Sequence, residues 1–330
     1  MKTKITDVAK LAGVSSTTVS HVLNNTRFVT EQTRKKVLRA VKELGYSPDA
    51  TARMFKTGKK MMIGFVVPDI SNAVFATLIE CVENIVALQG YKLVVVNTKD
   101  SLEQEKKAIE ALSYGLMDGL IIASSAYSFE DIRPQMPNGF PVVLVDRTLA
   151  GYQQDSIVLD CYHATFDLLS DLIREGHRKI GYIVGLPHLS STADRIKAYW
   201  DAIAAHQIEY DPSLIRTQSR KNEDAFIEAG KLVDIGCSAI VATNTMMTHD
   251  VLNCLEQRGI KPNEDIAIGG FVDSYLGKRF AKSIPVVFEP IEELGDLAGK
   301  MIIEKINKSD EMFPIKRIPC SYHPNKKREI

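Results

Sequence analysis

Apolar positions divide this chain into two regimes. Up to Leu44 they recur every three or four residues, at Val8, Leu11, Val14, Val19, Val22, Val37, Leu38, Val41 and Leu44, a helical rhythm that can supply one miniature core. Thr6, Ser15 and Thr30 are suitable N-caps, Gly13 suits the first turn, and Gly45 before Pro48 suits the last stop. Three short helices are therefore predicted, from Thr6 through Ala12, from Ser15 through about Leu23, and from Thr30 to Gly45. From Met62 the rhythm changes to short apolar runs bounded by turns, "MIGFVVPD", "YKLVVVNT", "GLIIASS", "PVVLVDR" and "SIVLD". Helical stretches such as "FATLIECVENIVALQG" and "EQEKKAIEALSYG" separate them. The alternation starts again with "KIGYIVG", "LIRTQ", "AIVATN", "IAIGGF" and "PVVFEP", with helices that include "CYHATFDLLSDLIREG" and "THDVLNCLEQRG". The predicted fold class is an all-α head plus an α/β body of two doubly wound parallel-sheet lobes whose strand C-terminal ends face a shared cleft.

The second head helix carries more polar surface than a buried element needs. Val14, Val19 and Val22 anchor one side of it, which leaves Ser16, Thr17, Ser20 and His21 pointing elsewhere. Charge sharpens the picture, because the overall balance of zero hides an uneven distribution. The first sixty residues hold thirteen lysines and arginines against four acidic residues, a net +9, so the remainder carries −9. A small basic head on an acidic body is the electrostatic footprint of a nucleic-acid-binding module joined to something else. With 330 residues, 45% of them apolar, the chain can bury more than one core. No apolar run is long enough to span a membrane and the N-terminus lacks an export signal, so a soluble, cytoplasmic protein is expected. Cys81, Cys161, Cys237, Cys254 and Cys320 are odd in number, scattered and never spaced as C-x-x-C. They read as buried thiols in a reducing compartment, with no disulfide framework and no metal site.

The run "ITDVAKLAGVSSTTVSHVLN…TRFVTEQTRKKVLRAVKELGYSP" resembles the head of the lactose- and galactose-repressor (LacI/GalR) family of transcription regulators, nearest to its purine- and ribose-responsive branches. The likeness is dense over about fifty residues. It includes the D-V-A-x-x-A-G-V-S start, the T-V-S core and the L-G-Y-x-P exit. It implies a helix-turn-helix DNA-binding domain over 1–46, with Ser16, Thr17 and His21 at base-reading positions and Ser15, Thr18, Ser20, Asn24 and Thr33 at phosphate-contacting ones. Plainer roles are open to some of these: Ser15 as a helix cap, Asn24 as a helix end, Thr33 as a solvated side chain. Residues 47–61, "YSPDATARMFKTGKK" and its surroundings, correspond to the family's hinge helix and linker. There Ala52 and Phe55 would enter the minor groove and kink the duplex, an act that requires two hinges and hence a homodimer on a near-palindromic operator. Phe55 stands where the family has leucine, and its alternative is to pack under the first body strand.

Residues 62–330 look more loosely like a periplasmic sugar-binding protein, the fold of the family's effector-binding and dimerisation core. The resemblance implies three crossings between lobes, near Asp160, Glu289 and Pro319, with lobe 1 at about 62–160 and 290–318 and lobe 2 at about 161–289 and 319–330. Such crossings would act as the hinge for cleft closure. It also implies a pocket of Asp69, Asn72, Phe75, Asp146, Arg147, Ser191, Arg195, Asn244, Asp273 and Glu289, a set of carboxylates, amides and guanidinium forks suited to a sugar or sugar derivative. Two positions depart from the family: "GFVD" places Val272 where an acid is frequent, and Glu289-Pro290 replaces Q-P. Plainer roles exist here too, with Phe75 as core, Asn244 as a loop support, Asp146 as a cap and Arg195 as a solvated helix residue. His177, in "EGHRKIG", belongs to a helix-end turn.

The function expected is therefore that of a sequence-specific transcription repressor under small-molecule control, with no cofactor, no metal and no catalytic residues. Three alternatives stay open at this level. An enzyme is opposed by the absence of a dinucleotide fingerprint, a P-loop, a nucleophile elbow or metal-ligand spacing. A ligand-free architectural protein leaves a body more than four times the head's length unexplained. A catabolite-control type of regulator would draw part of its signal from a protein partner.

Overall fold

The structure, a computed structural model, describes residues 3–24, 27–46, 58–218, 224–273, 284–308 and 310–324. It separates into two units, Met1–Lys60 and Met61–Ile330.

In the first unit, α1 (Ile5–Ala12), α2 (Ser16–Asn24) and α3 (Glu31–Glu43) enclose a core in which Val8, Val19 and Val37 are fully buried, joined by Val22 and Ala40. Gly13 turns the chain between α1 and α2 with φ at +66°, a left-handed conformation that favours glycine. Ser15 and Thr30 cap α2 and α3 as predicted. The start of α1 differs from the prediction. Lys4, not Thr6, occupies the N-cap, and its N–H donates to Asp7 Oδ2 at 2.8 Å, because a carboxylate in the first turn can return to the helix start without a hydroxyl cap.

The second unit holds two six-stranded sheets. Strands β1 (Met62–Val67), β2 (Lys92–Asn97), β3 (Gly119–Ile122), β4 (Val142–Val145) and β5 (Ser156–Asp160) form the first lobe with helices α4 (Ala73–Leu88) and α5 (Leu102–Ser113). After β5 the chain enters the second lobe, with α6 (Tyr162–Arg174), β6 (Ile180–Val184), α7 (Ser190–Ala205), β7 (Ile215–Thr217), α8 (Asp224–Asp234), β8 (Ala239–Ala242), α9 (Thr245–Gln257), β9 (Ala267–Asp273) and β10 (Val286–Glu289). It then returns as α10 (Ile291–Asn307) and β11 (Lys316–Pro319), and crosses once more into β12 (Ser321–His323). The strand orders, β11-β5-β4-β3-β1-β2 and β12-β10-β9-β8-β6-β7, follow one scheme in both lobes. Every pairing is parallel except β12 on β10. Both faces of each sheet are covered, which explains why the inner strands read as unbroken apolar runs.

One sequence reading is corrected. Cys161 and Cys320 are a disulfide pair in this structure, with Cα atoms 4.8 Å apart and 159 residues between them in sequence. No spacing rule could reveal that proximity, because two separate crossings create it. Cys81, Cys237 and Cys254 are free, and burial is the leading cause that pushes each of these thiols up.

The return of α10 depends on two glycines. A Cβ at Gly295 would lie 2.5 Å from Cys81 Cβ and 3.2 Å from the Leu78 carbonyl oxygen, and one at Gly299 would meet Ile85 at 2.8 Å. Gly295→Ala should therefore lower stability by about 1–3 kcal/mol through overpacking. A urea midpoint equal to that of the parent protein would refute this close approach.

Candidate functional site

Two surfaces concern function, one in each unit. On α2, Val19 and Val22 turn into the head core. Thr17 and His21, four residues apart, share the face nearly opposite them, while Ser16 and Ser20 share an adjoining face. Thr17 is exposed; Ser16, Ser20 and His21 are half-buried. Ser15 Oγ accepts from the Thr18 N–H at 3.0 Å and lies 2.8 Å from Thr18 Oγ1, so both hydroxyls serve the start of α2. Thr33 does the equivalent at α3, with its hydroxyl 2.9 Å from that of Thr30. Asn24 is the last residue of α2. Ala52 and Phe55 lie outside the described residues.

In the second unit, acidic residues stand at the ends of β4, β9 and β10. Arg195, on α7, donates through Nη2 to Glu289 Oε1 at 2.5 Å and through Nη1 to the Thr243 carbonyl, and its guanidinium stands 4.7 Å from the Phe271 ring centroid. Its Nε is buried and meets no acceptor among the described residues. Glu289 is 4% exposed and Asp273 1% exposed. Burial is the strongest influence on Glu289. Arg195 opposes it, Asp146 and Asp273 reinforce it, and the carboxyl is pushed up to about 7. Asp146, from the first lobe, thus acts electrostatically on a carboxyl of the second. Asp146 itself has φ at +69°, a left-handed conformation rare outside glycine, which the β4–β5 ladder holds through its N–H to the Ile157 carbonyl at 3.0 Å.

Arg147 is drawn away from the second lobe. It is 8% exposed, donates to the Ser124 carbonyl at 3.0 Å and to Asp100 Oδ1 at 3.3 Å, and pairs with Asp146 at 3.3 Å. The same corner holds Glu105, fully buried, which accepts from Ser124 Oγ and from the Ser125 N–H at 2.7 Å. Burial raises its carboxyl above the usual range. Asp100 and Glu105 escaped sequence reading because their partners come from β3 and β4, and no local pattern joins them. Across the two lobes, the Thr148 N–H donates to Ser190 Oγ at 2.8 Å. Sequence reading singled out the neighbouring Ser191, which is half-buried.

The remaining predicted pocket residues have local duties. Asp69 Oδ1 accepts from the Ser71 N–H at 2.9 Å and from its hydroxyl at 2.6 Å. Asn72 caps α4 through Val74 N–H at 3.1 Å, and Asn244 caps α9 through Met247 N–H at 2.7 Å. Phe75 belongs to the first-lobe core at 5% exposure. His177 closes the turn after α6, with its N–H donating to the Leu172 carbonyl at 3.1 Å.

Glu289 makes the site sensitive to pH. The folded protein holds this proton up to about 7, whereas the reference carboxyl releases it near 4.5. Folding is thus favoured by this group at low pH, and its contribution is lost as pH rises through that window, by on the order of 3 kcal/mol. Glu289→Gln should flatten the decline in urea midpoint between about pH 5 and 7 relative to the parent. Parallel curves would contradict the assignment.

Comparison with known proteins agrees with both units. Residues 4–49 match the family "Bacterial regulatory proteins, lacI family", and residues 60–328 match "Periplasmic binding proteins and sugar binding domain of LacI family". The transcriptional repressor PurR of Vibrio atlanticus (strain LGP32) is 32% identical over 310 residues, covering 93% of this chain and 92% of its own. Among solved structures, the lac repressor dimer bound to operator and the anti-inducer ONPF superposes with a TM-score of 0.84 at 21% identity, over 99% of each chain. The CelR–cellobiose complex gives 0.71 at 24% identity, covering 97% of this chain and 98% of that one. This chain belongs to the LacI family of bacterial transcriptional regulators.

Proposed function

We propose that residues 1–46 read a near-palindromic DNA operator as one half of a homodimer, that 47–61 form the hinge and linker, and that 62–330 form the effector-binding and dimerisation core, with lobes at about 62–160 plus 290–318 and 161–289 plus 319–330. The protein acts in the cytoplasm as a repressor. Thr17 and His21 reach base edges, Ser16 assists them, and Ser15, Thr18, Ser20, Asn24 and Thr33 position the head on phosphates. Ala52 and Phe55 serve the minor groove. This division follows the exposure of Thr17 opposite the buried Val19 and Val22, since a helix seated in the major groove needs one face for the core and one for the bases.

The effector is a sugar or sugar derivative held between the lobes, and the observation that carries this reading is the group formed by Arg195 on α7 with the strand-end acids Glu289, Asp273 and Asp146. Carboxylates accept from ligand hydroxyls, and the buried Nε of Arg195 is a donor available to a ligand oxygen. Arg147 orders the Asp146 side of the cleft, Ser191 lies beside the interlobe contact at Ser190, Asp69, Asn72 and Asn244 shape the walls through the turns and caps they hold, and Phe75 supports them from the core. The PurR and CelR relatives are named as a repressor and as a cellobiose-complexed regulator, which supports an effector-controlled DNA switch here. A ligand that binds both lobes stabilises the closed cleft and so shifts the population of DNA-competent dimers.

A thermal-shift screen over sugars, sugar acids, sugar phosphates and purines, followed by operator-binding assays with each hit, tests this function. A protein whose DNA affinity ignores every hit would overturn it. His21→Ala should weaken operator binding by about 1–3 kcal/mol and relax preference at one base per half-site. Equal losses on operator and random DNA would remove the base-reading role. Arg195→Ala should leave operator binding in place while abolishing the response to the effector. A retained response would displace Arg195 from the pocket.

A further inference from the structure

Cys161 and Cys320 stand on two different crossings. Cys161 follows β5 on the first, and Cys320 separates β11 from β12 on the third. The parallel ladder between β11 and β5 ends with Pro319 opposite Asp160, and the Cys320 N–H donates to the Asp160 carbonyl at 2.9 Å. The next step along that register brings the two sulfurs together, with the Cα separation of 4.8 Å inside the range a disulfide spans. A bond there extends the connection past the last ladder hydrogen bond, onto the segments that lead into the second lobe.

We propose that Cys161 and Cys320 form a reversible redox modification site that couples the first and third crossings, free to turn as a dithiol and tied as a disulfide. The mechanical consequence rests on the cleft closure of the proposed effector switch, with these crossings acting as its hinge as the family resemblance implies. In the reducing cytoplasm where the protein is proposed to act, a cysteine pair at this distance serves as a switch, since a permanent cross-link would not persist there.

Peroxides are the oxidant class that suits it. Cys320 is less buried than Cys161, which is 5% exposed, so Cys320 meets the oxidant first. Its thiolate attacks one peroxide oxygen, the O–O bond breaks, and a sulfenic acid and one water result. The Cys161 thiolate then attacks the sulfenic sulfur, the S–O bond breaks, and a second water leaves. In sum, two thiols lose two electrons and two protons, and one hydrogen peroxide becomes two waters. A small dithiol reverses the step by exchange.

The surroundings favour this pair over the other cysteines. Cys161 is the N-cap of α6, where serine, threonine or aspartate is usual, and the helix N-terminus favours the negative charge that its sulfur carries during attack. Cys81, Cys237 and Cys254 are raised thiols held mainly by burial, each without a cysteine partner.

Full-length protein treated with hydrogen peroxide, then alkylated and digested, should yield a Cys161–Cys320 linked peptide that dithiothreitol abolishes. Amide exchange over residues 158–163 and 317–322 should slow several-fold in the oxidised protein and recover on reduction. Cys161→Ser, which keeps a helix-capping residue, and Cys320→Ser as a second variant should each lose both effects. Absence of the link, a link through another cysteine, or a link that leaves exchange at the crossings unchanged would overturn the proposal. None of these readouts involves DNA or effector, so their failure would leave the regulator reading standing.

Discussion

Neither body lobe can complete its sheet from one continuous stretch of chain, and most of what the protein offers follows from that constraint. The first sheet waits for β11 to cover the edge of β5, and the second waits for β12 to cover the edge of β10. Between them α10 must return to α4 through the narrow approach at Gly295 and Gly299. Contacts of such long sequence separation carry a high loop-closure cost before they reward the chain. What they provide in exchange is a body whose two lobes are joined by three separate crossings of the chain.

The strand ends next to those crossings concentrate charge. Asp146, Asp273 and Glu289 come from different strands, and a single guanidinium, Arg195, lies between the latter's carboxylate and the Thr243 carbonyl. A buried arrangement of this kind costs desolvation that a plain core would avoid. Asp146 adds backbone strain at the same place. Backbone strain and costly burial that coincide at these strand ends support the proposed effector site.

Much of the fold was legible because parallel sheets covered on both faces leave continuous apolar runs, and the strands from "MIGFVVPD" to "PVVFEP" announced themselves that way, the polar edge strand β7 in "LIRTQ" excepted. The final two strands did not. β11 and β12 are short, largely exposed and polar, and their existence depends on the edges they meet. Helix caps were legible at Ser15 and Thr30, where a hydroxyl does the work, and missed at Lys4, where Asp7 does it from inside the helix. In the candidate site, Arg195, Asp146 and Glu289 were named through the family resemblance, while the Glu105–Ser124–Arg147 corner and the Cys161–Cys320 pair arise only from tertiary proximity. Sequence-based spacing has no access to such contacts.

The head, unlike either lobe, occupies one uninterrupted stretch ending near Lys60. A single recombination point in that neighbourhood exchanges the whole DNA-reading unit and disturbs no sheet. Transplanting one lobe requires three simultaneous junctions, each inside a crossing. In evolutionary terms, the genomic address of such a regulator and the body that answers to a chemical message can each be inherited as a cassette, whereas half of that body cannot.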